Sequence, residues 1–365
     1  MSMDFIEAMN ELEREKGISK DVLFEAIEAA LISSYKRNFN TAQNVRVDMN
    51  RNTGVIKVYA RKLIVEEVLD PRTEISVPAA REINPHFQLE DIAEIEVTPR
   101  DFGRIAAQTA KQVVTQRIRE AERGLIYNAF VDKEEDIVTG TVQRQDQRNV
   151  YVDLGKVEAL LPLNELMPNE KFKHGERTKA YITKVENTTK GPQIMLSRTH
   201  PGLLKRLFEL EVPEIFDGVV EIRSVAREAG FRSKIAVFSR NDEVDPVGSC
   251  VGPKGIRVQT IVNELRGEKI DIVRYSDQVE EYVANALSPS KVLEVHVFES
   301  EKMARVVVPD YQLSLAIGIK GQNARLAAKL TGWKIDIKSE TQAEEEFGRP
   351  KTYTEETQQD SFSVD

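Results

Sequence analysis

Two short stretches decide the fold of this chain: Val251-Gly-Pro-Lys-Gly255-Ile-Arg-Val258 and Ile317-Gly-Ile-Lys-Gly321-Gln-Asn-Ala324. Each contains a Gly-x-Lys-Gly element, and the two elements begin 66 residues apart. A Lys-Ile-Asp-Ile element follows each of them, at 269–272 and 334–337, with a spacing of 65 residues. The near-equal spacings indicate an internal repeat. Two copies are too few for a solenoid, so the pattern predicts two tandem domains.

Each copy has the same predicted order of elements: strand, strand, helix, glycine loop, helix, strand. A short helix of small and apolar residues leads into each loop, and a second helix starts directly after it. The two strands that precede the loop are short apolar runs in both copies. They are predicted at 219–225 and 234–238, and at 292–298 and 304–308.

The glycine loops have the chemistry of a phosphate-binding turn. Glycine has no Cβ, so a sugar-phosphate chain can approach the backbone closely. The helix that follows offers unpaired N–H groups and the positive end of its dipole. Lys254 and Lys320 add positive charge without a fixed geometry. KH domains clamp about four nucleotides of RNA at such a GxxG loop.

The predicted RNA-binding residues of the repeat are the loops and one arginine in each helix that follows. They are Gly252, Pro253, Lys254, Gly255 and Arg257, then Gly318, Ile319, Lys320, Gly321 and Arg325. A nucleotide-hydrolase loop is excluded, because it needs Ser or Thr after Gly-Lys and its lysine does not lie between the glycines. The remaining alternative is a plain turn between two helices, which one isolated loop would favour and two matching copies do not.

Residues 135–199 predict a small β-barrel. Five short strands in about 65 residues fit an OB fold, whose barrels often bind oligonucleotides by stacking bases and tracking the phosphate backbone. The predicted strands are 137–142, 150–154, 159–161, 179–185 and 193–197.

The residues before the barrel predict two helices within the first forty, a hairpin over 45–59 and a helix over 104–130. That helix would span ~40 Å, and we interpret its basic face as solvated.

The composition indicates the character of the C-terminal residues, allows a polyanionic partner and limits the role of the cysteine. The 365 residues carry a formal charge of −9, and the last 26 hold two basic and eight acidic residues. Residues 341–365 are therefore expected to be a disordered acidic tail, and the rest is close enough to neutral to accept a polyanion. Cys250 is the only cysteine, which excludes an intrachain disulfide, and we expect it to be a small buried hydrophobe.

No metal site, cofactor or membrane segment is expected. The four histidines are not spaced as metal-ligand pairs. No apolar run approaches the ~18 residues of a membrane span, and the first residues lack the pattern of a signal peptide. We therefore expect a cytoplasmic protein.

In this order of domains the chain resembles the NusA family of bacterial transcription elongation and termination factors, in the short form without further acidic repeats. The resemblance covers residues 1 to about 340. It rests on the two loops at 252–255 and 318–321 and on the barrel that ends in Ile194-Met-Leu-Ser-Arg198. The implied fold is multidomain α+β, with an N-terminal α/β domain, an S1-type OB barrel, two tandem type II KH domains and the acidic tail.

The resemblance to S1 domains is partial in the barrel. The usual Phe-Gly-x-Phe run places two aromatic side chains on the RNA face, but this chain has Arg148-Asn-Val-Tyr151. Pro162 stands where many S1 domains have a histidine, while Arg198 is kept. We retain Arg148, Tyr151 and Arg198 as predicted RNA contacts. Since stacking is worth ~1–3 kcal/mol per base, we expect the KH pair to supply most of the affinity and the barrel to add electrostatic contacts.

The family implies a monomeric, nonenzymatic factor that binds RNA polymerase, nascent single-stranded RNA and other elongation or antitermination factors. It promotes pausing and intrinsic termination and takes part in antitermination. The predicted domains are 1–130 for polymerase binding, 131–200, 201–288, 289–340 and the tail 341–365. The alternatives are an RNA-processing enzyme or a ribosome-associated module. Polynucleotide phosphorylase also combines KH and S1 domains, but it places KH first and needs large catalytic domains.

Overall fold

The computed structural model describes residues 3–39, 44–168 and 170–347. The last part of the predicted tail, 348–365, lies outside these residues. The chain divides into two compact units, 1–129 with 187–192, and 130–186 with 193–365. Among the described residues, no helix combines the length and the apolar character needed to cross a membrane.

The first unit packs helices against a four-stranded sheet in which β2 pairs with β1, β3 and β4. The predicted hairpin is confirmed, since Val45 lies opposite Ala60 and Met49 opposite Ile56. One helix, α3, was not predicted, because its seven residues are too few for a helical pattern to emerge. The elements are α1 Met3–Lys16, α2 Lys20–Asn38, β1 Val45–Met49, β2 Ile56–Val65, β3 Glu74–Ser76, α3 Val77–Ile83, β4 Ile92–Glu96 and α4 Phe102–Val131.

Five strands of the second unit form a closed barrel in the order β5-β6-β7-β9-β8. All five predicted strands are confirmed, although most extend beyond the predicted ends. The strands are β5 Ile137–Gln145, β6 Asn149–Asp153, β7 Glu158–Pro162, β8 Arg177–Thr188 and β9 Gly191–Ser197. Their inward side chains alternate along the strands, as the burial of Val150 and Val152 on β6 shows.

Both copies of the repeat fold into a three-stranded sheet with helices. In each sheet the first two strands are antiparallel, and the last strand lies parallel to the middle one. The first copy consists of α5 Pro201–Glu211, α6 Pro213–Phe216, β10 Val220–Glu228, β11 Arg232–Ser239, α7 Pro246–Val251, α8 Ile256–Glu264 and β12 Lys269–Arg274. After α9 Val279–Ala286, the second consists of β13 Glu294–Phe298, β14 Met303–Val308, α10 Leu313–Ile317, α11 Gln322–Thr331, β15 Lys334–Ser339 and α12 Glu340–Phe347.

The two copies share one apolar core. Ala226, Ala236 and Val273 of the first sheet belong to the same buried cluster as Val283 of α9 and Leu326 of α11. Helix α11 therefore covers the first sheet as well as its own. Because burial of apolar surface is the main favourable term in folding, the shared core holds the two loops in one packed body.

The start of the predicted tail at residue 341 is wrong. Residues 340–347 form α12, in which Ala343 is buried. The Thr341 hydroxyl donates a hydrogen bond to Asp310 Oδ2 at 2.8 Å. The Thr341 N–H donates a second hydrogen bond to Asp310 Oδ1 at 3.3 Å. The acidic composition concealed this helix, because the contacts that attach it to the domain come from one buried alanine and one threonine.

Candidate nucleic-acid interface

The two glycine loops have the same backbone conformation. In the first loop φ is 74° at Gly252, 52° at Lys254 and 76° at Gly255. In the second loop φ is 75° at Gly318, 53° at Lys320 and 74° at Gly321. In both loops the second glycine donates its N–H to the carbonyl of the first, at 3.0 and 3.1 Å. The sequence repeat is thus a structural repeat at the level of single residues.

Each loop holds a lysine in the left-handed region, which is unfavourable for a residue with a Cβ by roughly 1–2 kcal/mol. Strain of this kind concentrates at functional sites. The first glycine of each loop has a second requirement besides its φ. A Cβ at Gly252 would lie 2.6 Å from Arg257 Cγ, and one at Gly318 would lie 2.8 Å from the backbone nitrogen of Asn323.

The loops present their variable residues to solvent. Pro253, Lys254 and Lys320 are exposed, and Ile319 is 85% exposed. Among the residues that the structure describes, neither lysine has a carboxylate partner. Helices α8 and α11 begin directly after the loops, and no side chain caps their first N–H groups. The N–H groups of Ile256 and Gln322 at these helix starts donate to the Pro253 and Ile319 carbonyls. Each loop therefore offers a phosphate its exposed lysine together with the positive end of a helix dipole.

The two predicted arginines beside the loops make ion pairs within the protein, while the Arg325 side chain stays 51% exposed and that of Arg257 25% exposed. Arg257 Nη1 donates to Glu214 Oε2 at 2.9 Å and to the Ser249 carbonyl at 2.6 Å. Arg325 donates to Glu228 Oε1 through Nε at 3.2 Å and Nη2 at 3.1 Å, and to the Lys320 carbonyl. These contacts help to hold the loops, and RNA contact by either arginine stays a prediction. Their carboxylate partners lie far away in sequence and could not be inferred from it.

Glu228 ties the second loop to the first copy of the repeat. It lies at the end of β10 and accepts hydrogen bonds from Arg325 and, at 2.8 Å, from Gln322 Nε2. Burial opposes ionisation of this carboxyl, but the hydrogen bonds from Gln322 and Arg325 outweigh it and hold its pKa below the usual range. Glu228 is therefore a carboxylate at neutral pH and keeps the start of α11 against the first sheet.

A cleft of about 400 Å³ opens between the second loop and the first copy of the repeat. Its lining combines apolar Leu315 and Ile319 with Phe231, which is 57% exposed, and with Lys269. Asn323 also lines it, and its buried Oδ1 has no hydrogen-bond partner among the described residues. The exposed apolar surface next to the lysine loop suits an unstacked base, since KH grooves combine phosphate and base contacts.

Of the predicted barrel residues, Arg148 lies in the turn just before β6, and Tyr151 lies in the middle of that strand. The Arg148 side chain is exposed, as the prediction of a phosphate contact requires. Tyr151 donates its hydroxyl hydrogen bond to Asp146 Oδ2 at 2.8 Å, and the guanidinium of Arg144 covers its ring at 3.7 Å from the centroid. Sequence reasoning did not find Arg144, because only the pairing of β5 with β6 brings it beside Tyr151.

Arg198 is not an RNA contact, which corrects the third barrel residue. Its side chain is 1% exposed and lies between the barrel and the first copy of the repeat. All five guanidinium N–H donors find acceptors. They go to Glu170 Oε1 at 2.7 and 3.0 Å, to Glu264 Oε1 at 3.1 Å, to the Glu264 carbonyl at 3.0 Å and to the Lys179 carbonyl at 2.6 Å.

Cys250 is buried at the end of α7, where the sequence predicted a small hydrophobe. Burial, with a smaller contribution from Glu214, raises the pKa of its thiol to about 12. Because only the thiolate reacts, we expect the folded protein to resist iodoacetamide at pH 8. Labelling should appear at the denaturant concentration where the domain unfolds. Full labelling of the folded chain within minutes would contradict this assignment.

Four protein-family models match the chain in succession. They are the NusA N-terminal domain over residues 4–124, the S1 RNA binding domain over 131–197, the NusA-like first KH domain over 198–275 and the NusA-like second KH domain over 279–345. Both glycine loops fall within the KH matches. The order of the four matches is the order of the folded elements described above.

Full-length relatives agree with these matches. The chain is 74% identical over 345 residues to the transcription termination/antitermination protein NusA of Halalkalibacterium halodurans, covering 94% of this chain and 90% of the relative. The chain belongs to the NusA family. The NusA protein of Bacillus subtilis is 70% identical over 94% of this chain and 93% of its own length. The NusA protein of Thermus thermophilus is 43% identical over 92% and 89%.

Membership of the NusA family indicates the class of protein to which this fold belongs. The protein is an RNA-binding transcription factor of the termination and antitermination class, with one S1 domain and two KH domains. The two strained lysine loops are the GxxG elements of its KH domains.

Proposed function

We propose that this NusA-family protein holds nascent single-stranded RNA with its two Gly-x-Lys-Gly loops while its N-terminal domain binds RNA polymerase. The observation that carries the proposal is the pair of loops with matching strained backbones, exposed lysines and uncapped helix starts. The S1 barrel adds Arg148 and Tyr151 as further contacts. Through these contacts the protein promotes pausing and intrinsic termination, takes part in antitermination with other factors and has no enzymatic activity.

Tethering explains how weak contacts give a useful affinity. A KH loop binds only about four nucleotides, so one loop alone holds RNA weakly. The core shared by the two KH domains keeps both loops in one body, and binding at the first loop raises the effective RNA concentration at the second. Attachment to polymerase would raise it again. Because bacterial RNA polymerase works in the cytoplasm, the proposal places the protein there.

Neutralising the two loop lysines tests the RNA part of the proposal. We expect Lys254→Gln with Lys320→Gln to lower the slope of log affinity against log salt by roughly 0.7 for each phosphate that is no longer neutralised. Fluorescence anisotropy of a labelled 20-nucleotide RNA over a salt series measures this slope. Lys302→Gln is the matched control, because Lys302 is also exposed and also left-handed, with a φ of 49°, but lies outside the loops. An unchanged slope in the double variant would contradict the assignment.

Assays with purified bacterial RNA polymerase test the polymerase-binding and transcription parts of the proposal. The chain should bind polymerase in gel filtration, and deletion of residues 1–124 should abolish this binding. In single-round transcription it should lengthen pauses and raise termination at an intrinsic terminator. Incubation with labelled RNA and inorganic phosphate should leave the RNA intact, whereas stepwise shortening would favour an RNA-processing enzyme. Co-sedimentation with ribosomes and not with polymerase would favour the ribosomal alternative.

A further inference from the structure

A band of side chains crosses the outer surface of the S1 barrel. The strand registers place Arg144 of β5 opposite Tyr151 of β6, Tyr151 opposite Leu160 of β7, and Leu160 beside Met195 of β9. Side chains at paired positions lie on the same face of a sheet. All four residues are half-buried or exposed. The band is therefore one continuous surface, which is apolar at Leu160 and Met195 and cationic at Arg144.

The guanidinium of Arg144 lies over the ring of Tyr151. Its Cζ lies 3.7 Å from the ring centroid, which is van der Waals contact between two planar groups. Glu158 fixes the guanidinium from the far side of β6, with Nη2–Oε2 at 2.9 Å and Nε–Oε1 at 3.3 Å. The Arg144 side chain is nevertheless 60% exposed. The guanidinium therefore contacts the tyrosine ring and remains accessible to solvent.

A hydrogen bond to Asp146, in the turn between β5 and β6, fixes the position of Tyr151. Its hydroxyl donates to Asp146 Oδ2 at 2.8 Å, and Asp146 Oδ1 accepts the backbone N–H groups of Arg148 and Asn149 at 2.7 and 2.8 Å. These hydrogen bonds, above all the one from Arg148, hold the pKa of Asp146 below its usual range. The hairpin between β5 and β6 thus orients the tyrosine before any ligand arrives.

We propose that the outer face of the Arg144 guanidinium, backed by Tyr151, stacks one base of single-stranded RNA. Arginine planes stack bases in RNA-binding proteins, and a guanidinium whose N–H groups are already paired with a carboxylate has its faces free for stacking. The exposed Arg148 lies in the turn of the same hairpin, and in this proposal it pairs with a neighbouring phosphate. This inference rests on the proposed RNA-binding function and gives the barrel a stacking platform in place of its missing aromatic residue.

Arg144→Lys is the decisive variant, because it keeps the charge and removes the plane. In the full-length protein we expect it to weaken binding of a 20-nucleotide RNA about fivefold or more, the lower end of the effect of removing one stacked base. The salt slope should stay unchanged, whereas Arg148→Gln should lower it by about 0.7. With 2-aminopurine placed along the RNA, at least one position should be quenched by the wild type and not by Arg144→Lys.

Arg46→Lys is the matched control. Arg46 also lies over a tyrosine, with Cζ 5.3 Å from the ring centroid of Tyr59, and also pairs with a glutamate, Glu94. It lies in the N-terminal domain, so we expect no change in RNA affinity. Thermal unfolding of each variant confirms its fold, and Arg144→Gln provides a second test of the same position.

The outcomes separate this inference from the proposed function. If Arg144→Lys and Arg144→Gln bind and quench like the wild type while the Lys254/Lys320 variant has a reduced salt slope, the stacking platform is wrong and the KH assignment stands. If the Lys254/Lys320 variant keeps the wild-type salt slope while Arg144→Lys loses both affinity and quenching, the stacking platform stands and the KH assignment fails. Equal weakening by Arg46→Lys and Arg144→Lys would also overturn the platform.

Discussion

Reversing the charge of both KH loops is expected to weaken RNA binding roughly 100-fold or more, because phosphate contacts dominate affinity and the two loops reinforce each other. The variant carries Pro253→Asp and Lys254→Asp in the first loop and Ile319→Asp and Lys320→Asp in the second. The four side chains are exposed. Aspartate tolerates the left-handed conformation that both lysines adopt, so the fold should survive.

Variants altered in a single loop make the experiment sharper. If the loops act together, disabling either one should remove most of the affinity, and disabling the second should add less than its own effect. Anisotropy at two salt concentrations, with circular dichroism as the check on folding, measures all three variants. Wild-type affinity in the fourfold variant would show that the loops are only turns between helices. RNA contact would then lie on the barrel.

Arg198→Ala is expected to destabilise the second unit by about 3–5 kcal/mol, the usual consequence of removing one partner of a buried ion pair. The Glu170 side chain is only 1% exposed, so its charge would be left buried with only the longer contacts from Arg266 Nε at 3.8 Å and the Met167 N–H at 3.3 Å. The Lys179 and Glu264 carbonyls would each lose a donor. Urea unfolding followed by far-UV circular dichroism, with comparison of midpoints, measures the destabilisation.

Two further variants define what Arg198 does. Arg148→Ala, which alters an exposed arginine of the same barrel, should change stability by less than about 0.5 kcal/mol. Arg198→Met combined with Glu170→Leu removes the buried charge together with its partner, and it should recover more than half of the stability that Arg198→Ala removes. If Arg198→Ala unfolds at the wild-type midpoint, the network does not hold the barrel to the first KH domain.

The features that the sequence predicted well are those encoded by neighbouring residues. The loops were found because Gly252 and Gly318 begin matching Gly-x-Lys-Gly elements in matching surroundings. The barrel strands were found because short strand-forming runs follow one another closely between residues 135 and 199. The order of the predicted domains then supported the resemblance to the NusA family, which implied the polymerase-binding role of the N-terminal domain that local patterns alone could not imply.

The features that were missed depend on partners distant in sequence. Nothing near Arg198 indicates that Glu170 and Glu264 surround it, and the same holds for Arg257 and for Arg325. Arg198 was predicted as an RNA contact because an ion pair within the protein and a phosphate contact require the same residue type. Arg144 shows the reverse case, in which strand pairing creates a surface that the sequence does not suggest.

The core shared by the two KH domains also has a consequence for the order of synthesis. The first sheet is complete once Arg274 of β12 has left the ribosome. One face of this sheet, which carries Ala226, Ala236 and Val273, is covered only later by α11, which ends at Thr331. Domains generally fold as units from the N-terminus during translation. A nascent chain therefore passes through a stage in which a folded first KH domain carries a bare apolar face, and a ribosome stalled within that interval should present it to chaperones.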